Sequence, residues 1–299
     1  AGRPSPLPEL PIQYRDYAAW QRQWLVGGVL DAQLAYWRRQ LAGVPPRLRL
    51  PADRLRPPAA AARGATLPFQ AGAPLTAGLR ALARQEGATL FMVLLTGWKV
   101  LLRAYAGQDD IAVGTYFANR AHRDVEGLIG FFVNSLVLRT DLGGDPTCRQ
   151  LLGRVRQTTL GAYAHQDLPF SKLVEALAPR REAGHNPLFQ VVLSLDNFPP
   201  PAATGANLAV EPVPLHTGEA KLDLVLELRE AGERLEGLLE IDTGLFEPAT
   251  AARMLAHYHA ILQRMTEAPD CRISALSLAA GAPGAAALDF NADLEELAG

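Results

Sequence analysis

The chain reads as an α/β sandwich. Three observations predict it. Helical and strand patterns are interspersed along the sequence rather than segregated. A helix-length run at 90–105 is apolar nearly all round, so only a protein core can hold it. Two late β-runs, 222–228 and 235–241, flank Ala231-Gly232-Glu233 as a hairpin, which argues against a TIM barrel.

The elements follow in order. Prolines at 4, 6, 8 and 11 make the start an extended connector. Helical spacing begins near Gln13, with Tyr17, Trp20, Trp24 and Leu25 recurring, and Gly27-Gly28 is expected to end it. A second helix is predicted over 30–41, with Leu34, Trp37 and Leu41 on one stripe. Pro45-Pro46, Pro51, Pro57-Pro58 and an alanine run to Ala62 read as a surface crossing. A short strand is expected at 65–70 and a helix at 75–84. Thr89 caps the apolar helix that runs to Tyr105. Strands are predicted at 110–117 and 132–140, helices at 146–164 and 168–177, and a strong β-run at 188–195. Residues 199–205 read as a loop. Pro248 opens a closing helix to Met265, and 269–299 reads as a linker or strap.

Composition narrows the function classes. With 29 Lys+Arg against 31 Asp+Glu the net charge is -2, so no basic field attracts nucleic acid or an anionic membrane. The greasiest run is broken by Lys99 and Arg103 and is too short to span a bilayer. The two cysteines, Cys148 and Cys271, lack metal-ligand spacing; one disulfide is open to them, but the simpler expectation is two reduced thiols in a cytoplasmic protein. Phosphate-loop, dinucleotide-binding, nucleophile-elbow and HExxH signatures are absent. His257 and His259, at i and i+2 on one helix, point to different faces and make no metal pair.

Three segments carry more information. Ile129-Gly-Phe-Phe-Val-Asn-Ser-Leu-Val-Leu-Arg139 alternates like a strand and sets one amide, Asn134, in an apolar run. That amide must find hydrogen-bond partners, whether as a buried structural group or as one that orients a substrate. In His165-Gln-Asp-Leu-Pro-Phe170, Asp167 precedes a helix start and reads as a cap; a catalytic His165–Asp167 pair needs a nucleophile that adjacency does not supply. Tyr14-Arg-Asp-Tyr-Ala-Ala-Trp20 lies far upstream.

In this order the three segments resemble core motifs of the condensation domains of nonribosomal peptide synthetases. Val113-Gly-Thr to Ala118-Asn-Arg120, Val125-Glu-Gly-Leu-Ile-Gly130, Lys172-Leu-Val-Glu-Ala-Leu177 and Asn186-Pro-Leu-Phe-Gln190 extend the resemblance over roughly 7–265. The usual Arg-Asp-x-Ser-Arg lead-in is degraded to Arg181-Glu-Ala-Gly-His185. The resemblance implies a chloramphenicol-acetyltransferase-like sandwich, one lobe of a V-shaped pair, with 1–63 as lead-in helices and crossover, 64–268 as the C-terminal lobe and 269–299 leading toward an adenylation domain. It implies amide-bond formation between thioesters carried on the phosphopantetheine arms of donor and acceptor carrier proteins, with no cofactor bound directly. The family's His-His-x-x-x-Asp-Gly motif, whose second His assists amine attack, is not in this sequence. The N-terminal lobe is therefore expected to be missing, the chain alone to be inactive, and apolar surface to be exposed where that lobe packs. The motif's Asp pairs with an Arg of the later half; Arg120 matches that Arg and is expected to lack its carboxylate. Arg120, Asn134, Ser135, His165 and Asp167 are the residues expected to support the substrate channel. Phe132-Val-Asn-Ser135 sides with condensation over epimerisation. A non-catalytic platform for carrier proteins or tailoring enzymes, and another acyltransferase of the superfamily, are the alternatives.

Overall fold

The computed structural model describes residues 9–56, 63–120, 122–177, 186–196 and 217–276. The proline-rich start up to residue 8, the alanine run with Pro57-Pro58, the degraded motif with His185, the 199–205 loop, His216 and the tail from 277 lie outside the described residues.

Two helices come first, α1 (Tyr14–Trp24) and α2 (Gly27–Gln40). The glycine pair expected to break the first helix instead opens the second: Gly27 sits at φ +52, a left-handed turn that redirects the chain, and α2 starts there. After the crossover come β1 (Gly64–Ala71), α3 (Ala73–Gln85) and α4 (Leu90–Ala106). Thr89 caps α4, its hydroxyl accepting from the Met92 N–H. Then follow β2 (Asp110–Phe117), a four-residue α5 (Arg123–Glu126), β3 (Asn134–Asp141), α6 (Cys148–Ala164), α7 (Phe170–Leu177) and β4 (Val191–Asp196). The hairpin is β5 (Leu224–Ala231) and β6 (Arg234–Asp242), and α8 (Pro248–Glu267) closes the described fold before a short 3-10 turn at Ile273–Leu276.

The six strands form one sheet in the order β1-β6-β5-β4-β2-β3. β4 runs parallel to β2 and β5, and the other pairs are antiparallel. Helices α3, α4, α6 and α8 pack as a layer against this sheet, with α4 at the centre. No polar face is left on the middle of α4: Phe91 through Leu102 are all buried. Trp98 and Tyr258 meet edge to face at 5.2 Å, and the Tyr258 hydroxyl donates to the Leu94 carbonyl, tying α8 to α4. The opposite face of the sheet exposes Tyr116, Glu227, Arg229 and Leu238. No single described helix is long and apolar enough to cross a membrane.

The 129–140 segment is shorter as a strand than its alternation suggests. β3 pairs with β2 only from Asn134, opposite Phe117, because the partner then turns away at Asn119, which has φ +53. With no ladder to join, Ile129 to Val133 runs as irregular backbone. Within β3, Leu136, Leu138 and Thr140 on one face are buried, as is Val137 on the other. Ile129 and Phe131 stand 93% and 79% exposed, with Val133 and Tyr116 at 46% and 44%, so this end of the sheet presents apolar surface.

Lys99, which looked like an interruption of a greasy helix, is fully buried. Its Nζ donates to the carbonyls of Ile111 and Leu138, bridging β2 and β3 from the helix layer. Burial pushes its ammonium down to about 7 from 10.5, with Asp110 opposing. Between these two values the unfolded lysine holds its proton and the buried one has released it, so stability rises with pH across that window. From pH 6.5 to 9 the stability of the native chain relative to Lys99→Met is expected to grow by about 2–3 kcal/mol in urea titrations; parallel curves for the two proteins would refute this.

Candidate functional site

The upstream aromatic motif, the Phe-Val-Asn segment and the His-Gln-Asp loop are distant in sequence and adjacent in space. Asn134 joins the last two. Its Nδ2 donates to the carbonyls of Gln166 and Leu168, both at 2.9 Å. Its Oδ1 accepts from the Phe170 N–H and from the Ser135 N–H, both at 3.0 Å. The amide is thus saturated by backbone. It also corrects the expected cap: the free N–H at the start of α7 goes to Asn134, supplied from the sheet, and not to Asp167. Asp167 turns toward α2, where its Oδ2 lies 3.5 Å from Gln33 Nε2. Burial raises its carboxyl above the ordinary 3.8, with His165 opposing.

His165 ends α6. Its Nδ1 lies 2.8 Å from the Gly161 carbonyl, which can only accept, so that nitrogen carries the proton. The ring stacks on Tyr36 at 4.0 Å with 3° between planes, and Trp37 Nε1 donates to the His165 carbonyl at 2.8 Å. The imidazole is held by packing and a backbone bond, and His165 and Asp167 share no hydrogen bond among the described residues. Buried Gln33 and half-buried Gln166 each leave a buried Oε1 without a hydrogen-bond partner there.

Tyr14 and Tyr17 bring in the first motif. The Tyr14 hydroxyl donates to the Phe131 carbonyl at 2.8 Å. Both rings pack on Phe132, with centroids at 5.1 and 4.7 Å. Asn119 Nδ2 donates to the Tyr17 hydroxyl at 3.3 Å. Gly130 makes this approach possible, since a Cβ there would collide with the Tyr14 ring. Arg120 pairs with no carboxylate among the described residues, but its guanidinium is not orphaned. Nη1 donates to the carbonyls of Val125, Glu126 and Leu128 at 2.6, 3.1 and 2.9 Å, and Cζ lies 4.2 Å from the centre of the Phe132 ring. The cation organises the loop leading to β3. Ser135 lies opposite Tyr116 in the β2–β3 ladder, so its side chain shares the face of that exposed tyrosine.

Sequence reading missed the residues that clamp α2 to the sheet edge. Arg139 makes a forked pair with Asp110, with contacts at 2.7 to 3.1 Å, and its Nη1 donates to the carbonyls of Gln40 and Ala42. Gln40 answers by donating to the Arg139 carbonyl. The Asp110/Arg139 charge pair was the available signal, but two strand ends meeting side by side is a fact of pairing, not of spacing. No group of three or more His, Cys, Asp or Glu among the described residues could hold a metal ion. His257 and His259 indeed diverge: His257 Nδ1 meets the Tyr105 hydroxyl at 2.8 Å, while the His259 ring lies 6.5 Å from Phe69. The arrangement is chemically a scaffold: the Asn134 and Arg120 donors are spent on backbone carbonyls, and no nucleophile–base pair is formed among its described side chains.

Asn134→Ala leaves two carbonyls and the Phe170 N–H without their partner and is expected to cost about 2–4 kcal/mol in urea unfolding. Asn134→Asp should be no milder, because a carboxylate then faces the same two carbonyls; wild-type stability in either variant would contradict the bracing role. Gly130→Ala is expected to free the Tyr14 ring, seen as faster proteolysis before α2 with the melting of the sheet core little changed.

Comparison with known proteins agrees with this geometry. The condensation-domain family model matches residues 1–283. The chain is 45% identical over 278 residues to chondramide synthase of Chondromyces crocatus, covering 93% of this chain and 7% of that protein. It is 47% identical over 264 residues to malpibaldin synthetase of Mortierella alpina, covering 88% of this chain and 5% of that protein. The chain therefore spans a small fraction of the curated relatives it matches. Among solved structures, a chain in the complex of the X-domain and OxyB from teicoplanin biosynthesis superposes with a TM-score of 0.81 at 30% identity, covering 92% of this chain and 62% of that one. With its motif segments adjacent in a shared fold, and with a family match over most of its length, this chain belongs to the condensation-domain family.

Proposed function

We propose that this chain works as part of a nonribosomal peptide synthetase condensation domain. It would serve amide-bond formation between a donor aminoacyl or peptidyl thioester and an acceptor aminoacyl thioester. Both substrates arrive on phosphopantetheine arms of carrier proteins, and the chain itself takes no cofactor. Support comes chiefly from the convergence of the three motif segments on the Phe131–Asn134 stretch, where Tyr14 and Tyr17 meet Phe131 and Phe132 and the His-Gln-Asp loop meets Asn134. A reaction of this kind needs two long arms held so that amine and carbonyl meet, and a rigid frame beside an uncovered sheet face suits that need.

In this reading the contribution is positional. Asn134, Arg120, His165 and Asp167 hold the channel wall, and Ser135 lies on its open side. The proton-handling histidine is assigned to a companion N-terminal lobe, which would cover Ile129, Phe131 and Val133. The described histidines suit such a division. His165 is stacked and bonded to backbone, His257 meets Tyr105, and His122 lies beside Asp124 at the surface. An adenylation domain is the neighbour proposed to follow the tail, and the cytoplasm is the proposed compartment.

The test is a graft. Placed in chondramide synthase over the matched segment, the chain is expected to preserve dipeptidyl transfer between loaded carrier proteins, whereas the isolated chain is expected to show none above background. A correctly folded chimera without transfer would overturn the reading, and robust transfer by the isolated chain would overturn the division of labour. A second reading, a non-catalytic platform for a tailoring enzyme, is favoured by the likeness to the X-domain seen with OxyB. The same graft separates the two, because a platform would not sustain transfer.

A further inference from the structure

We propose that Cys148 and Cys271 form a reversible dithiol–disulfide site that latches the segment after α8 onto the start of α6. The two sulfurs lie 3.6 Å apart, and both cysteines are free thiols. The backbone already has the geometry such a bond needs. Thr147 and Arg272 form an isolated antiparallel bridge, so Cys148 and Cys271 are the next opposed pair. The Cys148 N–H donates to the Cys271 carbonyl at 3.0 Å, and the Ile273 N–H to the Pro146 carbonyl at 3.0 Å. A fully hydrogen-bonded antiparallel pair holds its Cα atoms about 5.5 Å apart, within the span of a disulfide; here one of its two bonds is made, the Cys271 N–H going to the Ala268 carbonyl, and the sulfurs already lie 3.6 Å apart. Side-chain closure alone then completes the bond.

The surroundings keep the two thiols in register. Arg149 reaches from α6 to Asp270 at 2.9 Å and also pairs with Glu86 on the turn after α3. Arg272 donates to the Asp145 carbonyl, and Ser274 donates to the Asp145 carboxylate through its N–H and its hydroxyl. The segment is thus docked by polar contacts at the surface, and the sulfur pair lies beneath them. None of these residues belongs to the frame around Asn134, so the site is independent of the proposed channel.

Exposure sets the order of reaction. Cys148 is 2% exposed and Cys271 is half-buried, so a small disulfide such as oxidised glutathione meets Cys271 first. The Cys271 thiolate attacks one glutathione sulfur and expels glutathione thiolate. Cys148 then attacks the Cys271 sulfur of the mixed disulfide, expels the second glutathione and gives up its proton to it. Two thiols lose two protons and two electrons, and one oxidised glutathione becomes two reduced ones. Burial, and next the Cys271 sulfur, push the Cys148 thiol up, which keeps Cys148 from reacting first.

The experiment takes the whole 299-residue chain through glutathione buffers of graded redox ratio, quenches with N-ethylmaleimide and maps the peptides without reduction. The expected product is an internal Cys148–Cys271 cross-link that dithiothreitol removes. Slower amide exchange over 268–276 should accompany it. Recovery of both cysteines as maleimide adducts or separate glutathione adducts after prolonged oxidation would overturn the proposal. In the Cys148→Ser chain the glutathione adduct on Cys271 should persist for lack of a resolving thiol. An adduct no longer-lived there than in the native chain would overturn the order of steps.

Discussion

Four hydrogen bonds on one carboxamide hold the frame of this domain together. Asn134 stands where β3 begins, and its two donor protons and one acceptor oxygen meet backbone of the α6–α7 loop, the first turn of α7 and its own strand. Glutamine and asparagine alone among neutral side chains both donate twice and accept at a planar amide. Asparagine is short enough to do so from a strand. With the loop fixed, His165 lies under Tyr36, its carbonyl receives Trp37, and α2 is seated against the end of α6.

A second constraint is cationic. Arg120 gathers carbonyls at and just beyond the end of α5 and sets its guanidinium near Phe132. A four-residue helix makes few internal bonds, and the guanidinium adds donors to its last carbonyls. The same economy appears at Arg139, whose fork takes Asp110 while its remaining donors close the end of α2. In both places one arginine converts loose chain ends into a defined surface. Ile129, Phe131 and Val133 project from that surface on a loop with nothing described above them. Rigid backbone under exposed apolar side chains is the physical basis for reading this end of the sheet as a wall that another element covers.

The centre of the fold obeys a different rule. α4 is buried on all sides, so any polar atom on it must be satisfied inside. Lys99 meets that demand by reaching past the helix layer to two strand carbonyls, and it links the layers where apolar packing alone would leave them free to slide.

Much of this was legible from the chain. Periodicity located α4, α6, α8 and the β5–β6 hairpin, because long amphipathic or alternating runs bury one face whatever their neighbours. The motif order identified the family, and Asn134 stood out as an amide that had to be bonded. What spacing could not supply was partnership. Asp167 looked like a cap because it precedes a helix, yet the cap comes from Asn134, 36 residues before Phe170. Gly27-Gly28 looked like a stop, yet a left-handed glycine begins α2. Lys99 looked like a break and proved a bridge, and Arg120, expected to be left without a carboxylate, found backbone carbonyls instead. Local pattern decides which residues become helix or strand, since backbone dihedrals and side-chain periodicity are local properties. Only the tertiary structure decides which polar groups meet, because a hydrogen bond depends on distance in space between segments that the sequence keeps far apart.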